Sequence, residues 1–345
     1  MGASGLCIWA HAYPQSALIA TCRSSALGPS VLWSPPMRIL VVGAGAVGGY
    51  FGARLALAGQ DVTFVARGAH AEAMRSRGLI LRTPTGEVRT PPLRVAPLDG
   101  VRGSFDLALV AVKWPSLGDV SAKLPGLLAA DGLALPLLNG LESEDAVARE
   151  VGASRVLASI AYMSAGLSGP GEIETLAPTR AGLAPYRPGQ EARVEATAAL
   201  LERAGIPVRR GSDYRAMLWE KMVWNAPFNA ICALTGQRAG VVVERMEDLL
   251  RAAMREVIAV ARAEGADVSE ATADAMIALT RAEFPLTEPS MLQDVRAGRA
   301  TEVDILQGAV VDRGRRAGID TPVLRTLATL VRGLSLRASA PPAAG

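Results

Sequence analysis

The sequence has few of the residues that most often carry metal or redox chemistry. Its 345 residues include three cysteines, Cys7, Cys22 and Cys232, and two histidines, His11 and His70. The cysteines are odd in number and show no CxxC spacing, which argues against a disulfide scaffold or zinc site and for a reducing compartment, the cytoplasm. Two scattered histidines are too few for a metal centre or a histidine-based mechanism, and no metal is expected. A net charge of +3 is too small, and the basic residues too dispersed, to point to nucleic acid. No run approaches the roughly 18 apolar residues of a membrane helix. Residues 1–36 contain no acidic residue and end in Ser34-Pro35-Pro36. A secretory signal would need an early positive charge, and Arg23 is the lone basic residue before Arg38. The stretch reads as a disordered extension, with folded sequence starting near Met37 and a flexible tail over 337–345.

What remains is 50% hydrophobic and 20% charged, and is long enough for two domains with real cores. Arg38–Val42 has strand composition and runs straight into Gly43-Ala44-Gly45-Ala46-Val47-Gly48. Gly49–Ala58 reads as a helix, Gly59 as its stop, and Asp61–Val65 as a second strand. Strand, glycine turn, helix and strand within about 30 residues is the context that a dinucleotide-binding fingerprint requires. In it Gly43 makes the tight turn, Gly45 admits the pyrophosphate, and Gly48 lets the helix pack closely. The phosphates then meet the positive end of that helix.

A further absence bears on the choice of cofactor. The second strand ends Ala66-Arg67-Gly68, without the carboxylate that would hold a ribose 2′-hydroxyl in an NAD site. A guanidinium there can pair with a 2′-phosphate, which favours NADPH; a solvated surface arginine is the bland alternative. Residues 79–95 form a small strand pair around Pro84-Thr85-Gly86. Phe105–Val112 and Leu133–Leu138 are nearly continuous apolar strands, as a buried parallel sheet demands. They end in Lys113 and in Asn139-Gly140. Ligands of open α/β sheets bind beyond the carboxyl ends of the strands, so Gly43, Arg67, Lys113 and Asn139 should rim one crevice.

Strand-like segments over 156–186, a helix over Glu191–Ala204 and a strand at Ile206–Val208 complete a Rossmann-type domain over 37–212. The rest, 213–336, reads as all-helical, with helices expected at Tyr214–Thr235, Met246–Glu264, Ser269–Phe284, Val303–Ala317 and Pro322–Leu336. In the first of these, Lys221, Asn225 and Asn229 stand at i, i+4 and i+8 and share one narrow face. Pro227 lies among them and predicts a kink. From this stretch alone, a water-facing polar stripe and a functional face read equally well. Further on, Ser290 is a natural N-cap, and Thr301 or Glu302 stands near a helix start.

These residues resemble the ketopantoate reductase (2-dehydropantoate 2-reductase) family. The likeness rests on Gly43–Gly48, Lys113, Asn139-Gly140, Leu218-Trp219-Glu220-Lys221 with Asn225 and Asn229, and Ser290–Asp294 through Thr301–Asp304. It runs from about Met37 to about Leu336. The resemblance implies NADPH-dependent reduction of 2-dehydropantoate to (R)-pantoate in pantothenate and coenzyme A biosynthesis. Lys221 matches the family's general acid, and Glu302 a carboxylate that acts with it and touches the cofactor. Asn225, Asn229 and Ser290 match substrate-binding positions, and Asn139 a residue between nicotinamide and substrate. Arg67 and Lys113 match groups near the adenosine 2′-phosphate, and Ala165 a backbone contact to the cofactor. The chemistry agrees, since a lysine over the carbonyl can donate the proton and stabilise the developing alkoxide. Two departures, Ala239 and Ala230 where the family often has Asn and Pro, touch the substrate pocket. They leave open another 2-oxo acid or an imine as substrate, and more remotely a non-catalytic NADP(H)-sensing module. Oligomeric state is not legible, beyond a homodimer through the helical domain as one arrangement.

Overall fold

The computed structural model describes residues 36–338; the expected N-terminal extension and most of the C-terminal tail lie outside them. The chain alternates strand and helix from β1 (Arg38–Val42) through α1 (Ala46–Leu57), β2 (Asp61–Val65) and α2 (Gly68–Arg77). It continues as β3 (Ile80–Thr83), β4 (Gly86–Arg89), β5 (Arg94–Ala96), β6 (Phe105–Val110), α3 (Leu117–Lys123), β7 (Leu128–Pro136) and α4 (Ser143–Val151). Five strands form one parallel sheet in the order β5-β2-β1-β6-β7. The apolar runs explain it, because both faces are covered and each strand must be apolar on both sides. Ile39, Val41, Leu107 and Leu109 pack toward α1, whereas Leu40, Val42, Ala108 and Val110 pack toward α3 and α4. That is the period of two expected of a pleated strand.

Next come β8 (Leu157–Tyr162), β9 (Ala165–Gly169), β10 (Glu172–Thr175), β11 (Arg180–Pro185), α5 (Glu191–Arg203) and β12 (Val208–Arg210). They build two smaller sheets, ordered β4-β3-β10-β9 and β12-β11-β8. β12 begins two residues later than the sequence suggested. Pro207 has no N–H to give a ladder, and its carbonyl accepts from Ala181 ahead of the strand.

From Asp213 onward the described chain is helical: α6 (Tyr214–Thr235), α7 (Ala239–Arg245), α8 (Glu247–Ala263), α9 (Glu270–Glu283), α10 (Ser290–Arg296), α11 (Ala309–Ala317) and α12 (Pro322–Ala338). α6 is the axis of this part. The Asp213 carboxylate caps its first turn, accepting from the Arg215 and Ala216 amides at 2.8 and 3.2 Å. Gly236, left-handed at φ 70°, ends it. Trp224 and Phe228, one turn apart, stack at 4.6 Å and lie in the core. The helix runs on through Pro227. The sequence did not foresee α7, which is short, nor that the helix after Glu302 opens with a π turn over Asp304–Gly308. There the Gly308 amide reaches back to the Val303 carbonyl at 2.9 Å. Buried Gln307 spends its amide on the Ala226 carbonyl in α6.

Gly43 has φ 96°, and a Cβ there would stand 2.6 Å from the Ala111 carbonyl oxygen. Gly59 has φ 83° with open space around it. Gly59→Ala should therefore cost only the left-handed backbone penalty of about 1–2 kcal/mol. Gly43→Ala should cost clearly more, in urea unfolding of both variants; equal losses would contradict this packing at the turn.

Candidate active site

The sheet brings four of the predicted positions to one edge. Gly43, Arg67, Lys113 and Asn139 each follow the carboxyl end of a strand, β1, β2, β6 and β7, and those strands are neighbours in parallel register. The turn between β1 and α1 fits a dinucleotide. A Cβ on Gly48 would stand 2.1 Å from the Gly43 carbonyl, so that glycine is demanded by packing. Gly45 faces open space instead, and no side chain caps the α1 N-terminus that begins at Ala46. The first-turn amides there are donors awaiting an anion. His70 braces this turn. Its Nδ1 accepts from the Gly171 amide at 3.0 Å, so Nε2 carries the proton and donates to the Ala44 carbonyl at 2.8 Å.

Lys113 is placed differently from what the resemblance implied. Its Nζ lies 3.2 Å from Asp294 Oδ2 and 3.5 Å from Glu302 Oε1, so the ammonium bridges two carboxylates of the helical part. Arg67 is exposed at the start of α2, and its guanidinium makes no hydrogen bond or ion pair among the described residues. The two cations are thus not brought to a common point. Ala165 opens β9, an edge strand whose partner is β10.

Lys221 projects from α6 across to the sheet. Its Nζ donates to Asn139 Oδ1 at 3.1 Å and to the Ala161 carbonyl of β8 at 3.0 Å. The other end of the Asn139 amide donates to Glu302 Oε2 at 3.1 Å. Lysine and glutamate are therefore coupled through Asn139, not by a direct pair as the sequence suggested. Burial lowers the Lys221 pKa to about 8, and the negative charges of Glu302 and Glu144 oppose that fall. Glu144, in the first turn of α4, was not anticipated. It is 1% exposed, its Oε2 accepts from Ser143 Oγ at 2.8 Å, and burial pushes its pKa up to about 7.

The other two members of the stripe separate. Asn225 lines the cavity beside Lys221, and its side-chain amide has no hydrogen-bond partner among the described residues. Asn229, 2% exposed, does not line it. Its Oδ1 accepts from the Met291 amide at 3.0 Å and from Ser290 Oγ at 3.4 Å, while Nδ2 donates to the Asn225 carbonyl. Asn229 and Ser290 are thus brought together as a clamp holding α10 on α6. Ser290 is the first helical residue of α10, with Pro289 outside it as the N-cap, because the Ser290 hydroxyl turns to Asn229. Substrate contacts expected of these two side chains are already occupied by each other.

The cavity, of about 130 Å³, lies between β8 and the segment before β11 on one side and α6 and α9 on the other. Trp224, Met276, Leu279 and Phe284 make one wall apolar. Trp224 is fixed by Nε1 donating to Thr280 Oγ1 at 2.9 Å. Arg180 and Ser164 also line it, and neither was anticipated. Both follow unremarkable strand segments, so only the fold exposes them. For Lys221 a signal was available: the chain has three lysines, Lys113, Lys123 and Lys221, among 36 basic residues, and two of them reach this site.

A dinucleotide-type sheet edge facing a buried, hydrogen-bonded lysine defines an oxidoreductase working with a nicotinamide cofactor. The comparisons with known proteins make this more particular. The family model described as ketopantoate reductase PanE/ApbA matches residues 39–187, and that of its C-terminal part matches 213–335. A 2-dehydropantoate 2-reductase of Halobacterium salinarum is 33% identical over 86% of this chain and 98% of its own length. The crystal structure of a 2-dehydropantoate 2-reductase from Geobacter metallireducens superposes with a TM-score of 0.81 at 33% identity, covering 86% of this chain and 99% of that one. A D-mandelate dehydrogenase in ternary complex with NADH and anilino(oxo)acetate superposes with a TM-score of 0.82 at 25% identity, covering 88% and 100%. The chain belongs to the ketopantoate reductase family. No helix of the described residues is long and apolar enough to cross a membrane.

If Lys221 donates a proton, its charged form is the active one. Turnover in the reductive direction should then fall as pH rises through about 8. Glu302→Gln removes an anion that holds the proton on, so the fall should begin at lower pH. A pH–rate profile left unmoved by Glu302→Gln would contradict the coupling through Asn139.

Proposed function

We propose that this chain is an NADPH-dependent reductase of a 2-oxo acid, converting 2-dehydropantoate to (R)-pantoate in pantothenate and coenzyme A biosynthesis in the cytoplasm. We place the active site in the cleft between a cofactor-binding part, 37–212, and a helical part, 213–336. The observation that carries the reading is the Lys221 ammonium, held by Asn139 and the Ala161 carbonyl at the mouth of an apolar cavity.

Bound NADPH would supply the hydride to C2 of the oxo acid. The protein's task is the proton and the charge. As negative charge builds on the carbonyl oxygen, the Lys221 ammonium neutralises it and passes a proton to that oxygen, leaving a neutral amine that water reprotonates. A pKa near 8 suits the transfer, since the acid is mostly charged at neutral pH yet gives its proton up readily. Asn139 fixes the lysine and links it to Glu302, whose carboxylate favours the charged form. The glycine turn and the α1 N-terminus would hold the pyrophosphate, and Arg67 the 2′-phosphate. Ala165 would meet the cofactor through its backbone. Asn225 offers its amide to the substrate, and Asn229 with Ser290 keeps α10 in place beneath it.

A second reading keeps the chemistry and changes the substrate. The wall of Trp224, Met276, Leu279 and Phe284 suits a 2-oxo acid with a larger apolar side chain than that of 2-dehydropantoate. Steady-state NADPH oxidation with 2-dehydropantoate against aliphatic and aryl 2-oxo acids decides between the two. Lys221→Ala should lower kcat by about 10²–10⁴-fold on whichever substrate is used, the usual worth of general acid catalysis. Retention within tenfold would remove Lys221 from that role, and cofactor binding without any turnover would leave a sensing module. Arg67→Asp should lower the preference for NADPH over NADH in kcat/KM; an unchanged ratio would overturn the 2′-phosphate assignment.

A further inference from the structure

The 15 side chains and backbone segments around the cavity include two charged groups, Lys221 and Arg180, and no Asp or Glu. A half-buried cavity whose charged lining is purely cationic favours an anionic occupant. The two cations also meet at one place. In the antiparallel pairing of β8 with β11, Arg180 stands directly opposite Tyr162, so both side chains leave the same face of the sheet. Lys221 donates to the carbonyl of Ala161, the residue just before Tyr162. Two residues beyond Tyr162, Ser164 lines the same cavity with a buried hydroxyl that has no hydrogen-bond partner. A buried hydroxyl left unpaired is costly, and a ligand oxygen would satisfy it.

We propose that Arg180, with the Ser164 hydroxyl beside it, is the seat for the substrate's C1 carboxylate, which sets the adjacent C2 carbonyl against Lys221 and the side chain against Trp224 and Phe284. This rests on the reading of the protein as a 2-oxo acid reductase. A 2-oxo acid carries its carboxylate and its reacting carbonyl on neighbouring carbons, so a site for it needs two different cationic partners close together. The planar guanidinium suits the carboxylate, which it can hold with two parallel N–H bonds and without ever losing its charge. The lysine suits the oxygen that must be protonated. The seat takes over the task that Asn229 and Ser290 cannot perform while they bind each other. It also restricts the substrate class to monocarboxylic 2-oxo acids, because the far wall is apolar and would leave a second carboxylate unpaired.

The test compares the intact enzyme with Arg180→Gln, Arg180→Lys and Ser164→Ala. Each is assayed with NADPH on its preferred 2-oxo acid and on the corresponding neutral 2-oxo amide. Arg180→Gln should raise KM for the acid by at least about thirtyfold, the lower end of what losing one partner of a buried charge pair costs. It should leave KM for NADPH unchanged and largely abolish the preference for acid over amide. Arg180→Lys should recover part of that preference, and Ser164→Ala should weaken it several-fold. An Arg180→Gln enzyme that binds NADPH normally and keeps its preference for acid over amide would overturn the assignment. So would equal loss on both substrates in Arg180→Gln and Arg180→Lys, which would mark Arg180 as structural support for β11. Absence of turnover by the unaltered enzyme on every 2-oxo acid is a different result, and would count against the proposed reaction itself.

Discussion

The site depends on one desolvated ammonium. Lys221 leaves the most buried helix of the molecule and ends against the sheet, where Asn139 and the Ala161 carbonyl receive it. Removing a charge from water is expensive, and these contacts together with the nearby carboxylates make it tolerable. That requirement fixes much of the surroundings. Asn139 must point one end of its amide at the lysine and the other at Glu302, and Glu302 must be carried by a segment that reaches over the cleft. Lys113 then neutralises Glu302 and Asp294 together, joining the strand end to α10 and to the turn ahead of α11. The network spans both parts of the chain, so the position of the lysine and the relation of sheet to helices are one constraint.

The elements with a repeating physical signal were legible in the sequence. The run Arg38–Val42, the glycine turn and the strand Asp61–Val65 are local, and each residue there has a reason that operates within about ten residues. Positions at strand ends were legible too, since topology alone places Gly43, Lys113 and Asn139 on one edge. Contacts made across the cleft were not. Spacing put Lys221, Asn225 and Asn229 on one face, yet Asn229 is one turn deeper and meets α10, where the Met291 amide needs an acceptor. Lys113 follows a strand end, but nothing local says that Asp294, 181 residues away, will hold it.

The same distinction explains the residues that were missed. Glu144 lies in a helix first turn, where an acidic residue ordinarily faces water and favours the helix dipole. Only the packing of α4 against the sheet buries it close enough to raise the lysine pKa. Arg180 begins a strand, an ordinary place for an exposed cation, and gains meaning from its register opposite Tyr162. Gln307 caps the comparison: its buried amide supports α6 from the π turn, a geometry that no propensity announces.

The central claim is that Lys221 is a charged but weakened ammonium at neutral pH, and it can be read without turnover. The chain has three lysines, so selective labelling with lysine carrying ¹³Cε and ¹⁵Nζ gives three resolvable side chains. An NMR titration should show Lys221, identified by its loss in Lys221→Arg, deprotonating at about 8, well below its ordinary value of 10.5. A Lys221 signal that titrates at its ordinary value would contradict the account, because the lysine would then be solvated and not held between the sheet and the helices.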